Sequence, residues 1–480
     1  MEEDSPLASR GILIRIVSEL GLVSLYRSKA DVKLLCLQRF VRLFAYGAST
    51  LVLVLYLQAL GVSKTRIGLF MTLTLVGDVA ISFALTLVAD GLGRKAILAM
   101  GALMMAGSGI AFALCESYWA LLAAAIFGVV SPSGNEIGPF RAIEESVVAH
   151  LTEPGSRSDV YAWYSLLGTA GTAFGLVTGG WAVQYVSASL GWELLDAYRL
   201  IFFGYAAAGL VKLTLALLLS SAVEADGWAP RAKKMVGNEE AAPLLGSGHE
   251  SSRASGRPRS RSRSKSRLAA LVPDISREGY AIMTSLCVFF ALDAFASGLA
   301  SMSWVTYFFR WRYGIEEGKL GSIFFVTSIT SAASMLVASS LAKRFGNVKT
   351  MVFTHLPSSI FLSLIPVFPD VRLSLLFLWL RSSSQSMDVA PRAAFLAAVI
   401  KPSERTAIMG VINVVKTVGA SLGPLLTGTL ADGGLFWVAF VAAGCLKASY
   451  DIGMLAVFEN HERHAAERER GGGEAGATPA

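Results

Sequence analysis

Two groups of about six long apolar segments flank one polar stretch rich in arginine and serine. Runs of about 18 or more apolar residues recur in both groups, enough to cross roughly 30 Å of hydrocarbon at 1.5 Å of rise per residue. In lipid every backbone N–H and C=O must find its partner inside the protein, so such segments are confined to helices. Only 16% of the 480 residues are charged and 54% are hydrophobic, whereas a soluble chain carries about 25% charged residues. The sequence therefore predicts an all-α polytopic membrane protein with about 12 transmembrane helices in two pseudo-symmetric six-helix bundles.

The second group repeats landmarks of the first. Arg157, Gly171, Gly175 and Gly180 stand 248 positions before Arg405, Gly419, Gly423 and Gly428. Ala207-Ala-Gly-x-x-Lys212 returns as Ala442-Ala-Gly-x-x-Lys447, displaced by 235, and Glu136-x-x-Pro139 returns as Asp388-x-x-Pro391, displaced by 252. Small-residue matches alone are weak in a chain this rich in Gly and Ala; the arginine, acid-x-x-Pro and Gly-x-x-Lys matches identify an internal duplication.

The organisation that follows is a cytosolic segment over 1–30 with an amphipathic stretch from Gly11 to Tyr26, then a first bundle over 31–222. A disordered Arg/Ser-rich linker over 223–278, a second bundle over 279–458 and a disordered tail over 459–480 complete it. Arg94, Lys95, Arg344, Lys349, Lys401, Arg405 and the linker arginines share one side of the bilayer. The positive-inside rule makes that side, and both termini, cytosolic. The linker's arginine-serine run reads as a solvated tether near anionic lipid, not a nucleic-acid site. Glu240-Ala-Ala-Pro-Leu244-Leu245 has the form of an acidic dileucine sorting signal, which slightly favours a vacuolar or lysosomal-type membrane over the plasma membrane. Cys36, Cys115, Cys287 and Cys445 fall in apolar segments without metal-binding spacing and read as core residues.

Ionisable residues inside apolar helices cost at least about 2.5 kcal/mol each near the bilayer centre, so they mark a cavity or a partner. Glu136 and Asp388 each precede a proline that withholds one helical hydrogen bond, which should open the segment beside a carboxylate able to exchange protons. Their structural alternative is pairing with Arg141 and Arg392. Asp78, Asp293 and Lys416 are further candidates for proton coupling or substrate contact, with Arg42 within reach of Asp78. The repeated Lys212 and Lys447 suggest a shared packing or ion-pair role. Gly171, Gly175, Gly180, Gly419 and Gly423 offer smooth faces for close helix contact, and Pro139, Pro391 and Pro424 offer hinges. No metal site or cofactor motif is present, and HExxH and GxSxG are missing, so an enzyme is not expected.

These residues resemble the major facilitator superfamily. Ala89-Asp-Gly-Leu-Gly-Arg-Lys95 looks like its signature loop, although Thr86 and Gly91 depart from the usual pattern. The second-half counterpart keeps Gly346 but has Lys343 in place of the acid. The resemblance implies that Asp90, Gly93, Arg94 and Lys95 form a cytosolic gate. Gly171, Gly175, Gly179 and Gly180 are similar to the antiporter signature, with Leu176 replacing its proline. The expected function is secondary active transport by alternating access, in the form of proton-coupled export or sequestration of a small organic solute by a monomer in the lipid bilayer. A facilitator or proton symporter is the alternative, and a membrane nutrient sensor the alternative of another class.

Overall fold

The computed structural model describes residues 22–128, 130, 139–153, 155–224, 276–401 and 404–474. The side chains of 82–91, 139, 140, 460–474 and a few single positions, Lys343 among them, are not covered. Glu136, the side chains of Asp90 and Pro139, most of the linker and the sorting residues Glu240, Leu244 and Leu245 lie outside the described residues.

The first half runs α1 (Leu22–Arg27), α2 (Ala30–Ala59), α3 (Lys64–Leu92), α4 (Arg94–Leu114), α5 (Tyr118–Gly128), α6 (Pro139–Leu151), α7 (Arg157–Ser189) and α8 (Leu194–Leu217). The second runs α9 (Arg277–Leu299), α10 (Met302–Tyr313), α11 (Glu317–Phe345), α12 (Asn347–Leu364), α13 (Val371–Ser384), α14 (Val389–Val399), α15 (Arg405–Asp432) and α16 (Phe436–Glu474). Among the described residues eight stretches are long and apolar enough to cross a membrane, with α9 and α10 counted as one. The remaining crossings are α3, α12 and the interrupted pairs α5–α6 and α13–α14, completing the polytopic plan.

The interruptions have local causes. Between α13 and α14 the chain turns over 385–388, and Pro391 sits in the first turn of α14, where its missing N–H would have had no helical partner. The seventh segment, expected as one helix over about 280–309, is broken at Ala300–Ser301. Gly298, just before the break, packs against the backbone of Ala420 and Gly423 on α15. The freed Leu299 carbonyl accepts a hydrogen bond from the Thr427 hydroxyl at 2.7 Å. At the other terminus, α16 continues as helix to Glu474, beyond the boundary expected at 458, through a run of Glu, Arg, His and Ala. Most of those residues are compatible with helix and have no apolar face to bury.

Within each half one pair of helices approaches at backbone distance. A Cβ on Gly47 of α2 would strike the Thr172 carbonyl of α7, and one on Gly298 of α9 would strike the Ala420 carbonyl of α15. Both pairs of positions keep the sequence repeat, with Ala420 standing 248 after Thr172 and Gly298 standing 251 after Gly47. Gly171 and Gly175 face Phe40 and Phe44 of α2, while Gly419 and Gly423 face Ala291 and Gly298 of α9. α15 runs unbroken through Pro424.

The halves meet along α3–α15 and α7–α11. Gly68 and Gly428 bring the first pair together, and Gly180 and Gly321 the second. Polar contacts between the halves line the end that carries the short loops. Asp432 accepts from the Thr65 N–H at 2.7 Å and the Thr65 hydroxyl at 2.6 Å. Gln184 donates to Glu316 at 2.8 Å, Tyr198 to Glu317 at 2.9 Å and Trp181 to Ser322 at 2.9 Å. That end is sealed. At the opposite end, where the linker joins, Gly93 and Gly346 turn the chain in equivalent loops at φ 90° and 87°, which a side-chain-bearing residue adopts only with strain.

The two kinds of glycine contact should separate experimentally. Gly47→Val and Gly298→Val disturb packing inside one half and should lower the melting temperature in detergent, since overpacking costs about 1–3 kcal/mol or more. Gly428→Val touches only the contact between halves. It should melt close to wild type yet expose the short-loop end to thiol reagents at an introduced cysteine.

Candidate transport cavity and its buried charge clusters

Each half holds one buried acid that gathers cations from different helices. In the first half Glu144 on α6 is fully buried and accepts from Arg42 of α2 at 2.7 Å and from the Tyr164 hydroxyl of α7 at 2.6 Å. Lys212 of α8 lies 3.5 Å away. In the second half Asp293 on α9 is held by Lys447 of α16 at 2.5 Å and by Arg392 of α14 at 3.4 Å. Arg392 also lies 2.7 Å from Asp388, a close ion pair misaligned for a hydrogen bond, so that both Asp388 oxygens lack one among the described residues.

The two clusters are related by the repeat, but two of their charges have changed places. Arg42 lies five residues before Gly47, and Asp293 five before Gly298, so α2 supplies the cation where α9 supplies the acid. The fourth segment answers with Glu144 and the tenth with Arg392. Only the lysine keeps its sign, at 212 and 447. In low dielectric an unpaired charge is costly, so an exchange on one helix demands an exchange on its neighbour.

Between the halves lies a cavity in two adjoining lobes. One, of 380 Å³, is lined by Thr50 and Thr172 from the first half and by Asp293, His355, Arg392 and Lys447 from the second. The other, of 330 Å³, is lined by Arg39 and Arg141 from the first half and by Ser331 and Ser382 from the second. Arg381, on α13, borders both lobes. Among the described residues its guanidinium has no ion-pair or hydrogen-bond partner, whereas Asp293 and Asp388 are already engaged by Lys447 and Arg392.

One expected partnership is replaced. Arg42 goes to Glu144, not to Asp78; Asp78 is 4% exposed and neither carboxylate oxygen has a hydrogen-bond partner among the described residues. Arg141 pairs with Glu145 one turn along α6 at 2.7 Å, while Glu136 lies outside the described residues. Lys416 sits 5.4 Å from the centre of the Phe290 ring. At the signature loop the Arg94 and Lys95 backbone N–H groups donate to Glu224 at 2.7 and 3.1 Å, and the Lys95 ammonium donates to the Leu219 carbonyl. The start of the linker thereby caps the N-terminus of α4 with a carboxylate.

Glu144 and His355 were not among the residues expected from sequence. Glu144 sits among Arg141, Glu145 and His150 and looks like part of a polar helix end. Its signal is the spacing Glu144, Val147, Val148, Leu151, one buried stripe at helical period. His355 is a lone histidine in an apolar segment, and nothing local marks the carboxylate it meets.

The cavity between two related six-helix halves is that of a membrane transporter, and sequence comparison gives the same class. The family described as the Major Facilitator Superfamily matches residues 35–309 and 286–480. The chain belongs to that superfamily. It is 36% identical over 437 residues to the uncharacterized membrane protein YJR124C of Saccharomyces cerevisiae, covering 89% of this chain and 94% of that one. Its fold is similar to a crystal structure of a D-xylose-proton symporter (TM-score 0.65, 13% identity, 88% of this chain and 96% of that one). It is also similar to the human organic anion transporter MFSD10 (TM-score 0.55, 18% identity, 89% and 100% coverage).

Removing the Glu144 charge should expose the dependence of the first cluster on it. Glu144→Gln leaves Arg42 and Lys212 without their carboxylate and should destabilise the protein by about 3–5 kcal/mol. Adding Lys212→Met should restore part of the melting temperature, because one of the two stranded cations is gone; melting curves of both variants check the coupling.

Proposed function

We propose that this protein is a secondary transporter of small organic anions bearing two or more acidic groups, working by alternating access and coupled to protons. The observation that carries the reading is Arg381: a cation at the junction of both cavity lobes, with no carboxylate among the described residues to answer it. Arg39 and Arg141 approach from the opposite wall, so a substrate with two separated acidic groups would bridge the halves. Binding would then supply the attraction that draws the halves together at the linker end, as alternating access requires. The positive-inside rule assigns the linker end to the cytosol. We take solute to enter from the linker end, because the contacts of Asp432, Gln184 and Tyr198 hold the halves together at the other.

Proteoliposome uptake of labelled citrate, malate and glycerol phosphate, against glucose and choline, tests the class. Anions should be carried in preference. Arg381→Gln should lower their apparent affinity roughly 10- to 100-fold, as expected for losing charge-assisted hydrogen bonds of about 1.5–3 kcal/mol. Equal transport of choline, or an unchanged affinity in Arg381→Gln, would refute it. Vacuolar delivery through Glu240, Leu244 and Leu245 is part of the same proposal. Leu244→Ala with Leu245→Ala should move a tagged protein to the cell surface, and unchanged localisation counts against it.

A further inference from the structure

One buried pair of titratable groups takes no part in the clusters that hold the bundles. His355 on α12 presents Nδ1 to both oxygens of Asp451 on α16, at 2.9 and 3.0 Å. Ser359 donates to the same carboxylate at 3.3 Å. Asp451 is fully buried and His355 is 4% exposed, yet the His355 ring borders the 380 Å³ lobe. With Nδ1–H committed to the carboxylate, Nε2 is the nitrogen left for the cavity. The Tyr450 ring meets the imidazole edge-on at 6.0 Å between centroids. That contact adds to the fixed orientation.

We infer that His355, backed by Asp451, is the group that binds the coupled proton, taking it up when an anion enters the cavity. The inference rests on the anion-transport reading. A hydronium ion in the water-filled cavity is the donor: its O–H bond breaks as the N–H bond at Nε2 of the neutral ring forms, water is released, and the His355–Asp451 pair goes from a net negative charge to a neutral imidazolium–carboxylate pair.

The charges around the ring make this uptake conditional. Asp293 of α9 and Asp451 favour the imidazolium, with Asp388 of α14 behind Arg392. Opposing it are Lys447 of α16, Arg392 of α14, Arg381 of α13 and Lys416 of α15; Tyr450 is neutral, and α11 contributes Ser328 to the lobe. An empty cavity is therefore weighted against the added positive charge. An anion seated on Arg381 reverses that weighting, and by linkage the bound proton strengthens anion binding in turn. A pair that served only to hold α12 against α16 would need no access to the cavity.

The test is calorimetry on the purified full-length protein, with citrate and inorganic phosphate as probes, in buffers of different ionisation enthalpy at pH 7.5. The wild type should take up a proton on binding, approaching about one per anion. His355→Gln should bind more weakly, take up close to none, and show an affinity that no longer falls as pH rises from 6 to 8. Asp451→Asn, which keeps the ring and the side-chain volume, should move the uptake to lower pH and serves if His355→Gln does not fold. Undiminished proton uptake in either folded variant overturns the assignment while leaving the anion reading intact. Binding of neither probe by the wild type overturns both.

Discussion

A charge inside the bilayer must be answered by another charge, and this constraint organises the molecule. Glu144 and Asp293 are the two acids on which it turns. Each ties a lysine from the last helix of its half to an arginine from another helix. Six helices are tied to their neighbours by these contacts before any apolar packing is counted: α2, α6 and α8 in one half, and α9, α14 and α16 in the other. The glycine contacts of α2–α7 and α9–α15 then set how closely the backbones lie.

Once the two acids and Asp388 are engaged, Arg381 remains. Its lack of a partner among the described residues follows from the same accounting that holds the rest together, which is why a substrate acid group is proposed as its complement. His355 and Asp451 extend the logic to protons. The ring is held firmly from one side and reaches the cavity from the other, so its charge responds to whatever occupies the lobe. Structural and functional charges thus differ in what surrounds them, not in type.

Much of the architecture was legible in the letters. The apolar runs, the offsets of 248, 235 and 252, and the loop around Gly93 pointed to two related six-helix bundles. The glycines lie at the close helix contacts expected of them, and the tenth segment opens beside Asp388. The break at Ala300–Ser301 was not legible, because its cause is the approach of α15 on the far side of Gly298 and the hydroxyl of Thr427. The pairing of Arg42 was misread for a similar reason: Asp78 is apolar-flanked and conspicuous, whereas Glu144 is hidden among surface charges on its own helix.

The sequence by itself determined which solvent the chain folds in, how many times it crosses, and that its halves share an origin, since hydropathy and internal repetition are properties of the chain taken in order. Only the tertiary structure decided which charges neutralise one another. Arg42 and Glu144 are 102 positions apart, and Lys447 and Asp293 are 154 apart. Electrostatic compensation acts through space, so Arg381 and Asp78, which have no charged partner among the described residues, can be recognised only after the other pairs are placed.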